Sequence, residues 1–304
     1  MVALLLILLS ALSLAFVGTW VAAVRERRAA SATPSEGTPG WPTTEHHVIG
    51  LVTNFFDTLG IGSFAPTTAV FRLRRLVPDD LIPGTLNVGH AVPVAVQAAI
   101  YIVIIEVDPW TLALLIGAAI AGAWFGAGVV AGLSRQRIQV GMGLALLVAA
   151  ALMVMTQFGW FPPGGDTLGL TGARLAIVVA GSAVAGALMT LGVGFYAPCM
   201  ILISLLGMNP KAAFPIMMGA CAFLMPVAGM RFVRKGRYSL RPALGLAVGG
   251  VPGVVLAAYI VRSLELGTVR WLVVGVVLYT AVSMLVAAAP RRARDAQSPS
   301  EQDH

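Results

Sequence analysis

Long apolar runs alternate with short polar segments along almost the whole chain. Because a helix needs about 20 consecutive apolar residues to cross a bilayer, this pattern predicts an all-α polytopic membrane protein. The first apolar run covers residues 2–24. Six further uninterrupted runs lie at about 81–105, 110–133, 138–161, 211–230, 240–261 and 269–289. Two further runs, at about 48–71 and 173–207, are interrupted by glycine and proline.

The two interrupted runs contain near-copies of one segment. Residues 58–66 are Thr-Leu-Gly-Ile-Gly-Ser-Phe-Ala-Pro, and residues 190–198 are Thr-Leu-Gly-Val-Gly-Phe-Tyr-Ala-Pro, so six of nine positions are identical. The copies are 132 residues apart, and the same offset places Pro83 on Pro215. The repeat indicates an internal duplication, and paired broken segments in a membrane protein point to a substrate site.

Each interrupted run can either cross the membrane once or enter and return on the same side. Residues 175–210 carry no charge, and as one helix they would be about 54 Å long, against a hydrocarbon core of about 30 Å. With two hairpins, 16 Lys and Arg residues lie on one side and 4 on the other; with single crossings the division is 12 to 8. The positive-inside rule favours hairpins. The first run is short enough for a single span, so its hairpin depends on the repeat.

Hairpins give each copy an odd number of crossings and hence opposite orientations. We therefore expect two inverted repeats, at residues 48–161 and 173–289, each made of a re-entrant broken-helix hairpin and three transmembrane helices. An N-terminal transmembrane helix (1–24) with its N-terminus outside and a cytoplasmic linker (25–47) precede them. A cytoplasmic tail (290–304) follows, and the predicted location is the plasma (inner) membrane.

Composition narrows the functional classes. Hydrophobic residues make up 58% and charged residues 11%, and the mean hydropathy is +0.88. The net charge of +7 comes from arginines at the ends of apolar runs, where they set orientation, so nucleic acid is not the expected partner. Cys199 and Cys221 lie inside apolar runs and form no disulfide framework. With no nucleophile–base pair or metal triad, the sequence predicts no enzyme and no cofactor.

The breaks themselves are the first candidate site. Glycine permits positive φ and close approach, and the N–H groups that follow each break would point with a helix dipole towards an anion. Alternatively, the glycines only allow tight packing of each hairpin. The predicted substrate-binding residues at the breaks are Thr58, Gly60, Gly62, Ser63, Phe64, Thr190, Gly192, Gly194, Phe195 and Tyr196.

Polar side chains inside apolar runs are costly and are functional candidates by default. Asn87 and His90 are three apart and would share a helix face; Asn87 could donate to an oxyanion, and His90 could be a cationic partner or a proton carrier. An ionised Asp57 cannot bind an anion, so proton coupling or an ion pair with His90 is its expected role. A buried Asp57–His90 pair that only fastens the hairpin is the alternative.

The duplicated Leu-Gly-[Ile/Val]-Gly…Pro motif (59–66 and 191–198), the following Gly84-Thr85-Leu86-Asn87 and the two-repeat layout resemble the sulfite exporter TauE/SafE family of membrane permeases. This resemblance implies a carrier of a small sulfur oxyanion or organosulfonate, which works by alternating access. Residues 63–65 and 195–197 replace the family's usual glycine run, and the aromatic side chains there would narrow or reshape the site.

A second hypothesis involves soft sulfur ligands. Seven of the 12 methionines lie between residues 189 and 230, near both cysteines, and thioether and thiolate groups suit Cu(I). A soft-metal or thiol-handling membrane protein is therefore the alternative function, although methionine also fills gaps in packing. Three Gly-x-x-x-Gly motifs, at 122–126, 128–132 and 249–253, predict close helix packing and a possible homo-oligomer.

Overall fold

The computed structural model describes residues 2–30, 41–160, 164–191, 195–209 and 212–260, and nine residues between 271 and 286 (271, 274, 275, 278, 279, 281, 282, 285 and 286). All regular elements in this part of the chain are helices. The all-α prediction is therefore confirmed there, while the tail 290–304 lies outside the described residues.

Eleven helices are described, in the order α1 (Val2–Ala30), α2 (Thr44–Thr58), α3 (Phe64–Leu73), α4 (Ile82–Gly89), α5 (Ala91–Ile104), α6 (Pro109–Val130), α7 (Arg135–Gln157), α8 (Gly172–Met189), α9 (Tyr196–Leu205), α10 (Ala213–Arg234) and α11 (Leu240–Ile260). Five of them, α1, α6, α8, α10 and α11, are long and apolar enough to cross a membrane. These helices indicate a multi-pass membrane protein.

Two helix boundaries differ from the sequence prediction. Helix α1 runs on through Ala30 and α2 already begins at Thr44, so the expected linker 25–47 is shorter. Alanine, arginine and glutamate favour helix, which explains the extension of α1.

The expected run 81–105 is two helices that meet at His90 with a bend of 44°. Pro93 explains this bend, because it cannot donate to the carbonyl four residues earlier and its ring crowds that carbonyl.

The first break lies between α2 and α3. Gly60 and Gly62 there have φ values of 84° and 88°, which other residues adopt only with strain. The second break lies between α8 and α9, and its Gly192 and Gly194 are outside the described residues. Helices α3 and α9 are offset by the same 132 residues as the repeat, and Pro66 and Pro198 occupy their first turns, where a missing N–H costs nothing.

Contacts between loops define two ends of the helix bundle. At the first end, Arg237 in the α10–α11 loop binds Asp80 in the α3–α4 loop at 3.1 Å. At the second end, the Asp108 N–H before α6 donates to the Leu168 carbonyl before α8 at 2.9 Å.

In each broken helix pair, the first and the last residues lie at the same end of the bundle. Glu45, at the start of α2, binds Arg74, just after α3, at 2.8 Å. Thr167, just before α8, donates to the carbonyl of Gly207, just after α9, at 2.9 Å. The α2–α3 pair therefore opens at the first end and the α8–α9 pair at the second.

Helix α2 packs most extensively on α11, and α6 on α8. The 132-residue offset relates α2 to α8 and α6 to α11. The α2–α11 contact of one copy with the other is therefore equivalent to the α8–α6 contact. Glycines permit both contacts: a Cβ on Gly122 would collide with the Ala183 carbonyl, and one on Gly253 with the Leu51 carbonyl. These Gly-x-x-x-Gly motifs therefore serve packing within the chain. Helix α10 lies at the centre and is mostly buried.

Candidate functional site

The two breaks meet around one small cavity at the centre of the bundle. Its lining comprises Asp57, Gly62, Ser63, Phe64, Met189, Phe195, Tyr196, Cys221 and Met225. The space open to the centre of a water-sized sphere is about 20 Å³, enough for roughly one water molecule. The cavity is therefore too small for a polyatomic anion.

A tyrosine joins the two broken helix pairs across this cavity. The Tyr196 hydroxyl, at the start of α9, lies 3.2 Å from Oδ2 of Asp57 at the end of α2. It also lies 3.4 Å from Oε1 of Gln97 on α5. Because a hydroxyl has one proton, it donates to one of these acceptors at a time. All three residues are buried, so this contact links the two broken pairs in the interior of the bundle.

Asp57 also occupies the N-terminus of α3. Its carboxyl group accepts hydrogen bonds from the hydroxyl and the backbone N–H of Ser63, the residue just before α3. A helix N-terminus attracts negative charge. The group expected to bind a substrate anion at the first break is therefore engaged with the protein's own carboxyl group.

The expected ion pair between Asp57 and His90 is wrong. His90 Nδ1 lies 3.1 Å from Oδ1 of Asn54, and its Nε2 lies 3.1 Å from the Thr67 hydroxyl. Since the Asn54 amide nitrogen donates to the Gly50 carbonyl, Oδ1 is the acceptor and Nδ1 carries the proton. Nε2 can then accept from the Thr67 hydroxyl, as it does in a neutral imidazole. His90 thus fastens α2 and α3 to the α4–α5 bend.

Several other predicted residues are not among those that line the cavity. The Thr58 hydroxyl donates to its own helix, as does that of Thr190. The Asn87 amide donates to the Pro83 carbonyl, and its buried Oδ1 has no partner among the described residues. Gly60 is exposed. Among the predicted side chains at the breaks, the cavity brings together Ser63, Phe64, Phe195 and Tyr196 with Asp57 and Gly62.

Met189 lines the cavity but is not among the predicted substrate-binding residues. The repeat offset identifies it, because Met189 stands where Asp57 stands in the first copy. Likewise Phe195 corresponds to Ser63 and Tyr196 to Phe64. Equivalent positions in the cavity therefore differ in chemistry: Asp57 and Ser63 are polar where the second copy is not, whereas Phe64 is apolar where the second copy has the Tyr196 hydroxyl.

No known protein family, curated protein or solved structure matches this chain. The geometry of the cavity is consequently the basis for a functional argument. Asp57, Ser63 and Tyr196 are the oxygen-bearing side chains of the cavity, and the described residues that line it include no lysine, arginine or histidine. Such a cavity can hold a proton on Asp57 and can bind a small anion only through hydrogen bonds.

Proposed function

We propose that this protein is a membrane carrier of a small anion, a sulfur oxyanion or organosulfonate, as its resemblance to the TauE/SafE permeases implies. The observation that carries the proposal is the small central cavity between the two broken helix pairs, which the Tyr196–Asp57 hydrogen bond joins. Broken helices that meet between two repeats are a transporter architecture. In the proposed cycle the repeats rock around this cavity and open it to one side at a time.

The contacts at the helix ends support inverted repeats with re-entrant hairpins. The Glu45–Arg74 ion pair closes the first pair at one end of the bundle, and the Thr167–Gly207 hydrogen bond closes the second at the other. In the proposed orientation the arginine-rich first end faces the cytoplasm of the plasma (inner) membrane. The N-terminus is then outside and the C-terminus inside.

Asp57 gives the proposed carrier a reason to couple to protons. An ionised carboxylate in a cavity without a cationic side chain repels an anion, whereas a protonated one can donate a hydrogen bond to it. The anion therefore enters when Asp57 is protonated, and one proton accompanies it. Protonation also frees the Ser63 N–H and hydroxyl to turn to the substrate.

Flux into proteoliposomes tests this function. We expect wild-type protein to move sulfite or a small organosulfonate, and an inward-directed proton gradient to accelerate uptake. Asp57→Asn should retain exchange of anions but lose acceleration by the gradient. The matched control is Asp80→Asn, which removes a carboxylate at the first end and should behave as wild type. The proposal fails if wild-type protein moves none of a panel of small anions.

Cysteine labelling tests the orientation independently of any substrate. In a Cys199→Ala/Cys221→Ala background, a cysteine at position 75 should react with an impermeant maleimide only from the cytoplasmic side. A cysteine at position 168 should react only from outside. Both positions are exposed. Labelling of both from the same side would exclude inverted hairpins.

A second function is favoured by one specific contact. The Cys221 sulfur lies 3.7 Å from the Met189 sulfur, and Met225, one helical turn after Cys221, lines the same cavity. Two thioethers and a thiol suit a soft cation such as Cu(I). Under this alternative, Cys221→Ala and Met189→Leu abolish silver(I) binding and function together. Under the anion proposal, Cys221→Ala retains anion flux.

A further inference from the structure

A groove at the first end of the bundle is lined by three arginines and stands apart from the central cavity. It has a volume of about 560 Å³, and its lining includes Arg72, Arg75, Val77, Asp79 and Arg135. The groove lies where α3 ends and α7 begins, which is the level at which apolar helices leave the hydrocarbon core.

One of the three positive charges is compensated within the protein. The Arg72 guanidinium binds Asp79, which also accepts from Gln139 Nε2 at 2.7 Å. Burial raises the pKa of the Asp79 carboxyl, but hydrogen bonds from Arg72 and Gln139 and the charges of Arg72 and Arg135 outweigh it and hold the pKa below its usual value. Asp79 is therefore ionised and bound, and it neutralises about one arginine.

Arg75 and Arg135 are left facing the groove. Arg135 reaches Asp79 only at 3.5 Å, and 66% of its side chain is exposed, so that ion pair is weak. Arg75 has a φ of 53° and is the one non-glycine residue with positive φ in the described part of the chain. A strained backbone persists where the surroundings enforce it, often at binding sites.

The same groove has an apolar side. Leu73 is 46% exposed and Tyr279 is 62% exposed, and both line it together with Val77 and Pro78. Aromatic side chains are enriched at the level of lipid headgroups, and arginine forks bind phosphate in a bidentate manner. The groove thus joins a net positive charge to a surface for an acyl chain.

We propose that this groove binds the phosphate group of an anionic phospholipid, held by Arg75 and Arg135, with an acyl chain along Leu73 and Tyr279. A lipid fits better than a free phosphate because the apolar side would otherwise be left uncovered. This site does not depend on what the central cavity transports.

Native mass spectrometry of the detergent-purified full chain with added phosphatidylglycerol tests the proposal. Arg75→Gln/Arg135→Gln should weaken phosphatidylglycerol binding at least tenfold. Arg137→Gln/Arg234→Gln removes the same charge from exposed positions at the same end and should weaken it less than threefold. Arg75→Lys/Arg135→Lys, which keeps the charge but not the fork, should fall between them.

Two further arms decide the source of the phosphate. Phosphatidylcholine should bind wild type more weakly than phosphatidylglycerol does and should lose less affinity in the double glutamine variant, since its choline cation offsets the charge of its phosphate. Millimolar inorganic phosphate should not displace phosphatidylglycerol. Equal losses in the two glutamine variants would overturn the site, and displacement by free phosphate would overturn the lipid as its occupant. Unfolding temperatures of all variants establish that the comparison is between folded proteins.

Discussion

Removing the Tyr196 hydroxyl should loosen the junction between the two broken helix pairs. The variant Tyr196→Phe keeps the ring and deletes only the group that lies 3.2 Å from Asp57. That distance is longer than the usual 2.7–2.8 Å for a hydroxyl donor, so the bond is of ordinary rather than exceptional strength. Side-chain hydrogen bonds between membrane helices contribute about 0.6 kcal/mol on average and at most about 1.7 kcal/mol.

A double-mutant cycle isolates this contact. We expect Tyr196→Phe and Asp57→Ala to show a coupling energy of about 0.6–1.7 kcal/mol, measured by SDS-induced unfolding in mixed micelles with circular dichroism. The control is Tyr259→Phe on α11, because Tyr259 is 86% exposed and is not among the residues that line the cavity. Its cycle with Asp57→Ala should give little coupling.

The same loss should appear in transport. If the bond exists only in the closed state, about 1 kcal/mol shifts the equilibrium between closed and open states about fivefold. Tyr196→Phe should then change the flux by a similar factor and leave proton coupling intact. A coupling energy below about 0.3 kcal/mol, which is within the usual error of additivity, would refute the cross-cavity contact.

Three further outcomes test the packing and the polar clusters. Gly122→Ala should lower the free energy of unfolding by about 1–3 kcal/mol through overpacking against α8, whereas Gly117→Ala on the same helix, with open space around it, should not. Asp79→Asn should destabilise the protein by about 1–3 kcal/mol at neutral pH. Because the folded pKa of Asp79 is lowered, wild-type stability falls as the pH drops below about 3.8, and its advantage over Asp79→Asn disappears in an unfolding titration. His90→Ala should destabilise by about 2–4 kcal/mol, since it leaves two buried polar partners unsatisfied. If His90 is neutral, the variant's flux keeps the wild-type pH midpoint; a displaced midpoint would restore the proton-carrier hypothesis.

Much of the fold could be predicted from hydrophobic runs and one repeated segment. The positions of the breaks, the prolines that open α3 and α9, and the membrane class all follow from local chemistry. Pro93 accounts for the bend at His90. The hydrophobic run alone, however, does not show where along it the helix bends. Hydropathy ends the first run at the charged cluster that begins with Arg25, whereas α1 continues to Ala30, because arginine and glutamate are good helix formers.

The site was predictable only in part, because partner choice depends on packing between distant segments. The sequence identified Asp57, Ser63 and Tyr196 as candidates, yet His90, the partner expected for Asp57, is not its partner in the structure. In the structure Asn54 and Thr67 satisfy His90, and Tyr196, 139 residues away, reaches Asp57. Helical spacing places residues on a face but does not determine which distant face will meet it.

The exchange of partners between the copies has a consequence for biogenesis. Helix α2 packs on α11, so its surface around Gly50 has no cover until nearly the whole chain has left the ribosome. Neither half can bury its broken helix pair alone. We expect the halves, expressed as separate polypeptides divided near residue 162, to be degraded individually and to assemble into stable protein only when produced together.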